Sequence, residues 1–317
     1  MSISSDGPDS NICVDWLIGF LRRKIMKFVR FAREGSEGLA IKTGEIYRGI
    51  LTSSPDYPGN LSQFVGLGRE GLAALSSHLG RGQAFEADAI DYLPPFPRPP
   101  KIICVGLNYR DHTAESGFDQ PEFPTFFGRF SSGLVGHMQP IIEPAGSATL
   151  DFEGELAVII GKRGRHISRT QAHDYIAGYS VFNDGSVREY QFKSPQWMIG
   201  KNFDNTGAFG PHFVTADELP AGAKGLGIVT RLNGQVVQSS NTDLLVFNIA
   251  SVVAHISEAM TLEPGDVIVS GTPAGVGHAR SPKLYMKQGD QVEVEIEGVG
   301  LLRNDIVREE RRLSSAA

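Results

Sequence analysis

The chain has 317 residues, 41% of them hydrophobic, and a formal charge of −6 from 30 Lys and Arg against 36 Asp and Glu. That is enough apolar material for one large domain and a smaller one, and without a basic stripe interleaved with aromatics no nucleic-acid partner is expected. The two cysteines, Cys13 and Cys104, cannot build a disulfide framework, and Cys104 sits inside the apolar run Lys101–Val105, so a reducing, cytoplasmic compartment is expected.

In chain order, residues 1–25 read as an extension. Trp16–Leu21 is apolar but precedes Arg22-Arg-Lys24, the wrong order for a signal peptide and too short to span a bilayer, so a short amphipathic helix and no membrane partner are expected. Met26 opens a more regular pattern. Strands are expected at Lys27–Phe31, Gly38–Ile41 and Glu45–Ile50, with a helix over Gly68–Leu79, together a small α+β domain spanning 26–93. The proline-rich stretch 94–100 reads as a stiff, extended linker. Beyond it, 101–317 is rich in short β runs: Ile102–Val105, Leu156–Ile160, Ile228–Leu232, Asp266–Ser270 and Val292–Ile296. Helical periodicity appears in only a few places, chiefly His173–Ala177 and Asn248–Met260. The fold class is therefore α+β, predominantly β, and not a doubly wound parallel sheet.

Residue patterns that carry chemistry lie between these elements. Asp151-Phe-Glu-Gly-Glu155 leads into the apolar run Leu156–Ile160, and Phe182-Asn-Asp184 follows. In a strand Glu153 and Glu155 point to one face about 7 Å apart. A bound cation relieves their repulsion, and with Asp184 the all-oxygen set selects Mg²⁺, Mn²⁺ or Ca²⁺ over zinc. An isolated Glu-x-Glu also reads as a solvated strand end. Gly106–Gly117 reads as a strand exit into a short helix with Asn108 as N-cap and Gly117 as stop. On that helix His112 and Glu115 share a face, and a carboxylate three residues from an imidazole orients it and raises its basicity, as a general base requires. Lys201, in the apolar setting Trp197–Phe203, needs an anionic partner if buried. Ser270–Gly277 leaves a strand as a glycine-rich turn whose N–H groups can hold an anion, with the Thr272 hydroxyl beside them. No nucleotide loop, G-x-S-x-G, HExxH or CxxC occurs. His137, His166, His173, His212, His255 and His278 show no ligand spacing and read as structural.

Taken in order, Gly106-Leu-Asn-Tyr-Arg-Asp-His112, Phe152-Glu-Gly-Glu155, Asn183-Asp184, Gly200-Lys201 and Gly271-Thr-Pro-Ala-Gly-Val-Gly277 resemble the fumarylacetoacetate hydrolase family over Lys101–Val307. The resemblance implies a mixed β-roll catalytic domain, usually a homodimer, with Mg²⁺ or Mn²⁺ on Glu153, Glu155 and Asp184 and Ca²⁺ as a non-native occupant. It implies a mobile lid helix carrying His112 and Glu115, an active-site Lys201, a carboxylate-binding Thr272, and Arg188 and Gln191 near a small 2-oxo acid substrate. Arg129 stands where many smaller members have lysine; its planar fork suits a second carboxylate, so a diacid is expected.

The activity so implied is hydrolytic C–C cleavage of a 2,4-dioxo acid, an acylpyruvate such as fumarylpyruvate. His112, oriented by Glu115, would activate a water, and Lys201 with the metal would stabilise the departing pyruvate enolate. The same enolate serves an isomerase or tautomerase, or a decarboxylase, of a 2-oxo diacid of the hydroxymuconate or oxaloacetate type. A non-catalytic metal-binding domain is the alternative of another class, and the His112–Glu115 pair argues against it.

Overall fold

The alternation of apolar and polar residues after Met26 builds an antiparallel meander of β1 (Lys27–Arg33), β2 (Ser36–Thr43) and β3 (Ile46–Leu51). Glu34 and Gly35 both take positive φ between β1 and β2, the two-residue turn that matches strand twist. The computed structural model describes residues 26–310; Cys13 and the helix expected at Trp16–Leu21 lie outside the described residues. The helix Gly68–Leu79 forms where its periodicity places it, burying Leu72, Leu75 and Leu79. β4 (Gln83–Phe85) and β5 (Asp91–Leu93) complete this part.

The longer part contributes β6 (Ile102–Gly106), β7 (Thr125–Gly128), β8 (Leu134–Val135), β9 (Ile141–Glu143), β10 (Leu150–Asp151), β11 (Gly154–Ile160) and β12 (Ile176–Asp184). There follow β13 (Ser186–Val187), β14 (Gly207–Thr215), β15 (Gly227–Leu232), β16 (Gln235–Asn241), β17 (Val267–Val269), β18 (Gln291–Ile296) and β19 (Gly300–Arg308). One sheet runs β4-β3-β2-β1-β14-β12-β11-β17-β6-β7, with β5 on β1 and β8 on β14; a second runs β16-β15-β18-β19-β9, and β10 pairs with β13. Most neighbours are antiparallel, and β6 with β17, β8 with β14, and β9 with β19 are parallel. The result is α+β and predominantly β.

β11 is buried along its whole length, which is why it reads as an unbroken apolar run. Leu156, Val158 and Ile160 join the core shared with the five-stranded sheet, while Ala157 and Ile159 join the core on the opposite face with Phe182 and Phe209. Each such branched side chain contributes about 1.5–3 kcal/mol by leaving water, so the end of β11 that carries the acids is anchored by packing on both sides.

Residues 26–93 pack onto the longer part: β1 pairs with β14 (Phe28↔Phe213), and Phe96 from the proline-rich stretch is buried with its ring centroid 5.4 Å from that of Phe213. One expectation is revised. His173–Ala177 is not an α-helix but a single 3₁₀ turn, Ala172–Tyr175, running into β12, because pairing of Ile176 with Ile160 overrides local periodicity. By contrast Ile249–Ala259 is helical, its N-cap Asn248 side chain accepting from Ser251 N at 2.9 Å.

Candidate active site

β11 and β12 run antiparallel with Gly154 opposite Asn183, so the acids at their ends meet. Asp184 N donates to Glu153 O (2.8 Å) and Glu153 N to Asn183 Oδ1 (2.9 Å), locking this corner. Oxygens of Glu153, Glu155 and Asp184 lie within 4.8 Å of one another, and all three residues are buried.

Three cations surround them. Lys201 Nζ donates to Glu153 Oε2 (2.6 Å) and Asp184 Oδ2 (2.8 Å), supplying the anionic partners its buried position demands. Arg188 pairs through Nη1 with Glu153 Oε1 (2.6 Å) and through Nε with Asp151 Oδ2 (2.8 Å). Arg129 Nη1 pairs with Asp184 Oδ1. Among the described residues, then, four carboxyl groups (Asp151, Glu153, Glu155, Asp184) meet three cations, so one of the acids has no cation of its own. Glu155 is the acid without an ion pair; it accepts a hydrogen bond from Gly271 N (2.5 Å). Burial, then the Asp184 and Glu153 charges, push its carboxyl well above the usual carboxylate range. Burial also works against ionisation of Glu153, but Lys201, Arg188 and His112 outweigh it and bring Glu153 down to about 2. For Lys201, burial acts to lower the pKa, and Asp184 and Glu153 more than reverse it, so the ammonium stays charged. Clustered hard oxygens, one of them on an acid with no cation of its own, fit a hard divalent cation held by Glu153, Glu155 and Asp184.

The helix Arg110–Glu115 stands over these acids. His112 Nδ1 and Glu115 Oε1 are 2.9 Å apart. Because Nδ1 faces a carboxylate it carries the proton, a tautomer assigned from its partner, and Nε2 keeps the lone pair. Glu115 also accepts from Gly275 N (2.8 Å), so the glycine-rich turn holds one of the chain's own carboxylates and fastens the helix in place. Asn108 is not the N-cap: Tyr109 is, and the Asn108 side chain instead bonds Ser270 O (2.7 Å) and Phe247 N (2.8 Å), because its position places it between two loops. Gly117, at φ 73°, ends the helix in the left-handed region glycine favours.

A cavity of about 480 Å³ is lined by His112, Glu115, Glu153, Glu155, Arg188, Gln191 and Lys201, with Phe118, Phe127 and Trp197 as an apolar wall. Asp184 lies fully buried beneath. Arg129 and Thr272 are not among the lining residues. The Arg129 side chain sits behind Asp184, its Nη1 and Nη2 taken by Asp184, Gly185 O (3.1 Å) and Thr206 Oγ1 (3.0 Å). Thr272 Oγ1 donates to Gly154 O (3.1 Å) and accepts from Gln238 Nε2 (2.9 Å). His278, Arg280 and Lys283 do line the cavity, and sequence reasoning missed them. Their only local signal is that they follow the glycine-rich turn. Asp151 was read only as the head of the acidic motif, yet it accepts from Gly277 N (2.8 Å) and His278 N (2.9 Å) as well as from Arg188.

Fold and cavity together define an enzyme in which a carboxylate-oriented histidine and a charged lysine share a chamber floored by acids suited to a divalent metal. Residues 101–307 match the family model for the fumarylacetoacetate (FAA) hydrolase C-terminal domain. The chain is 41% identical over 266 residues to the mitochondrial oxaloacetate tautomerase Fahd2a of Rattus norvegicus, covering 81% of this chain and 83% of that protein. Among solved structures, a fumarylacetoacetate hydrolase from Exiguobacterium antarcticum superposes with a TM-score of 0.77 at 34% identity, over 90% of this chain and 100% of the other. A 2-hydroxyhepta-2,4-diene-1,7-dioate isomerase from Mycobacterium marinum does so with 0.70 at 32%, over the same shares. This chain belongs to the fumarylacetoacetate hydrolase family of enzymes.

Proposed function

We propose that this enzyme interconverts the keto and enol forms of a 2-oxo diacid of the oxaloacetate type, using Mg²⁺ or Mn²⁺ on Glu153, Glu155 and Asp184. The observation that carries the reading is the pairing, in one cavity, of a His112 whose Nε2 is left basic by Glu115 with a Lys201 kept charged by Glu153 and Asp184. The tautomerase relative, at 41% identity, favours this outcome over the C–C hydrolysis expected from sequence. When bound, the cation supplies Lewis-acid polarisation of the 2-oxo group and its neighbouring carboxylate.

His112 Nε2 takes a proton from C3, and the electron pair of that C–H bond moves to make the C2–C3 double bond. Charge accumulates on the C2 oxygen, to which the third N–H of Lys201 Nζ, the one not engaged by Glu153 or Asp184, would donate. Returning the proton from His112 to that oxygen gives the enol, and the atoms balance. Glu115 stabilises the transient imidazolium. Arg188 Nη2, buried and without a partner among the described residues, is available to the substrate carboxylate.

A second reading, acylpyruvate hydrolysis, is favoured by the size of the cavity, since about 480 Å³ lies in the range that houses ligands much larger than a four-carbon acid. The two readings separate by product. Incubating Mn²⁺-loaded protein with enol-oxaloacetate and with fumarylpyruvate should give keto-oxaloacetate without release of CO₂. Pyruvate released from fumarylpyruvate would favour hydrolysis instead, and no turnover of any 2-oxo acid would leave a non-catalytic metal-binding domain.

A homodimer is proposed too. It is supported by the exposed Phe126, Phe130, Met198 and Ile199 on and beside the sheet-edge strand β7, where Asn202 Nδ2 donates to Gly128 O (3.0 Å). No helix among the described residues is long and apolar enough to cross a membrane. The cytoplasmic compartment stays a proposal resting on cysteine usage.

A further inference from the structure

We propose that Lys283, with Arg280 beside it at the mouth of the cavity, binds the second carboxylate of a 2-oxo diacid, making the loop after Gly277 the element that selects diacids over monoacids. The proposal rests on the reading of the cavity as a 2-oxo acid site.

Charge accounting motivates it. The cations around the acids, Arg129, Arg188 and Lys201, are each already paired with a carboxylate of the chain. A second carboxylate needs cations of its own. Arg129, expected in that role, is committed to Asp184 behind the acids. Among the described residues lining the cavity, Arg280 and Lys283 are the cations with no carboxylate at ion-pair distance. Arg280 donates to two carbonyls, Gly275 O (3.0 Å) and Val237 O (2.5 Å), contacts that fix the guanidinium without neutralising it. Lys283 Nζ lies 3.4 Å from both ring nitrogens of His278. That imidazole is itself held by the Tyr285 hydroxyl (2.7 Å) and by the Phe192 ring, centroids 5.1 Å apart.

The loop is also registered to the inner site. Asp151, fully buried, accepts from Gly277 N and His278 N on one side and from Arg188 Nε on the other. The cations at the mouth and the inner arginine therefore hang from one carboxylate, and their spacing is set by packed backbone.

The test is equilibrium binding by calorimetry to Mn²⁺-loaded protein of two matched pairs, 2-oxoglutarate against 2-oxopentanoate and 2-oxoadipate against 2-oxohexanoate. Each pair has one chain length and differs only in the distal carboxylate. Wild-type protein should favour the diacid in at least one pair. Lys283→Gln should weaken that diacid by about 2- to 5-fold, the range for a solvated charge contact, and leave the matching monoacid unchanged within error. Lys283→Arg should restore the preference. Equal weakening of diacid and monoacid, or no change in diacid affinity, overturns the proposal. If wild-type protein binds neither member of either pair, the proposal is overturned, while turnover of enol-oxaloacetate decides separately whether the 2-oxo acid reading stands. Unchanged Mn²⁺ affinity in Lys283→Gln shows that a loss is not unfolding.

Discussion

Replacing Glu115 by glutamine keeps the shape of the side chain but gives it one acceptor where the carboxylate has two. In the structure both oxygens are used, one facing His112 Nδ1 at 2.9 Å and the other accepting from Gly275 N at 2.8 Å. The amide can satisfy only one of them. If its oxygen stays on Gly275, its NH₂ faces His112, which must then turn Nδ1 into an acceptor and carry its proton on Nε2, where the base is needed. If its oxygen stays on His112, an NH₂ meets the Gly275 N–H and the helix Arg110–Glu115 loses its fastening. Either way one charge-assisted hydrogen bond is lost, about 1.5–3 kcal/mol, or about 10- to 150-fold in kcat. Steady-state turnover of enol-oxaloacetate with saturating Mn²⁺ measures the loss, and hydrogen exchange over residues 110–117 separates the two routes, because only the second exposes the helix. A Glu115→Gln enzyme within about threefold of wild type, with unaltered protection of that helix, would refute the assigned tautomer and the fastening together.

Other expectations follow from the same geometry. His112→Ala should lower kcat by about 10²- to 10⁴-fold while Mn²⁺ affinity is kept, since a general base acts in the transition state and the imidazole is not among the metal-suited oxygens. EDTA should abolish turnover, with Mg²⁺ or Mn²⁺ restoring it; Asp184→Ala should weaken Mn²⁺ binding in a titration, because one of three hard ligands is gone. Arg129→Met leaves Asp184 with Lys201 as its one ion-pair partner among the described residues, and breaking such a buried pair costs about 3–5 kcal/mol, read as a lower Tm that Mn²⁺ partly restores. For His212, burial and then the charges of Lys27 and Lys42 lower the pKa to about 3. The folded protein thus resists protonation that the unfolded chain accepts near 6.5. Its stability contribution is full above about pH 6.5 and is lost as pH falls toward 3. Tm should decline with acid across that window, and a His212→Phe variant should show a shallower decline.

The acids, the imidazole–carboxylate pair and most strands were legible from sequence because they depend on local periodicity. Two glutamates separated by glycine before an apolar run fall together at a strand end, and residues three apart on a helix share a face, whatever the rest of the chain does. The helices expected over Asn248–Met260 and Gly68–Leu79 belong to the same class. What periodicity cannot encode is which charge meets which. Arg129 reaches Asp184 across 55 positions and Lys201 reaches Glu153 across 48, and both contacts exist only because β11, β12 and β14 stack in one register. Thus only the tertiary structure decided that Arg129 backs the acids, that the Thr272 hydroxyl is spent on Gly154 and Gln238, and that residues 26–93 continue the catalytic sheet through β1 and β14. It also decided that Arg280 and Lys283 line the cavity, because a buried carboxylate, Asp151, pins their loop beside Arg188 from 126 positions away. Ion pairing in a low-dielectric interior is strong and short in range, so its partners are chosen by the distances the packed core imposes rather than by any pattern along the chain.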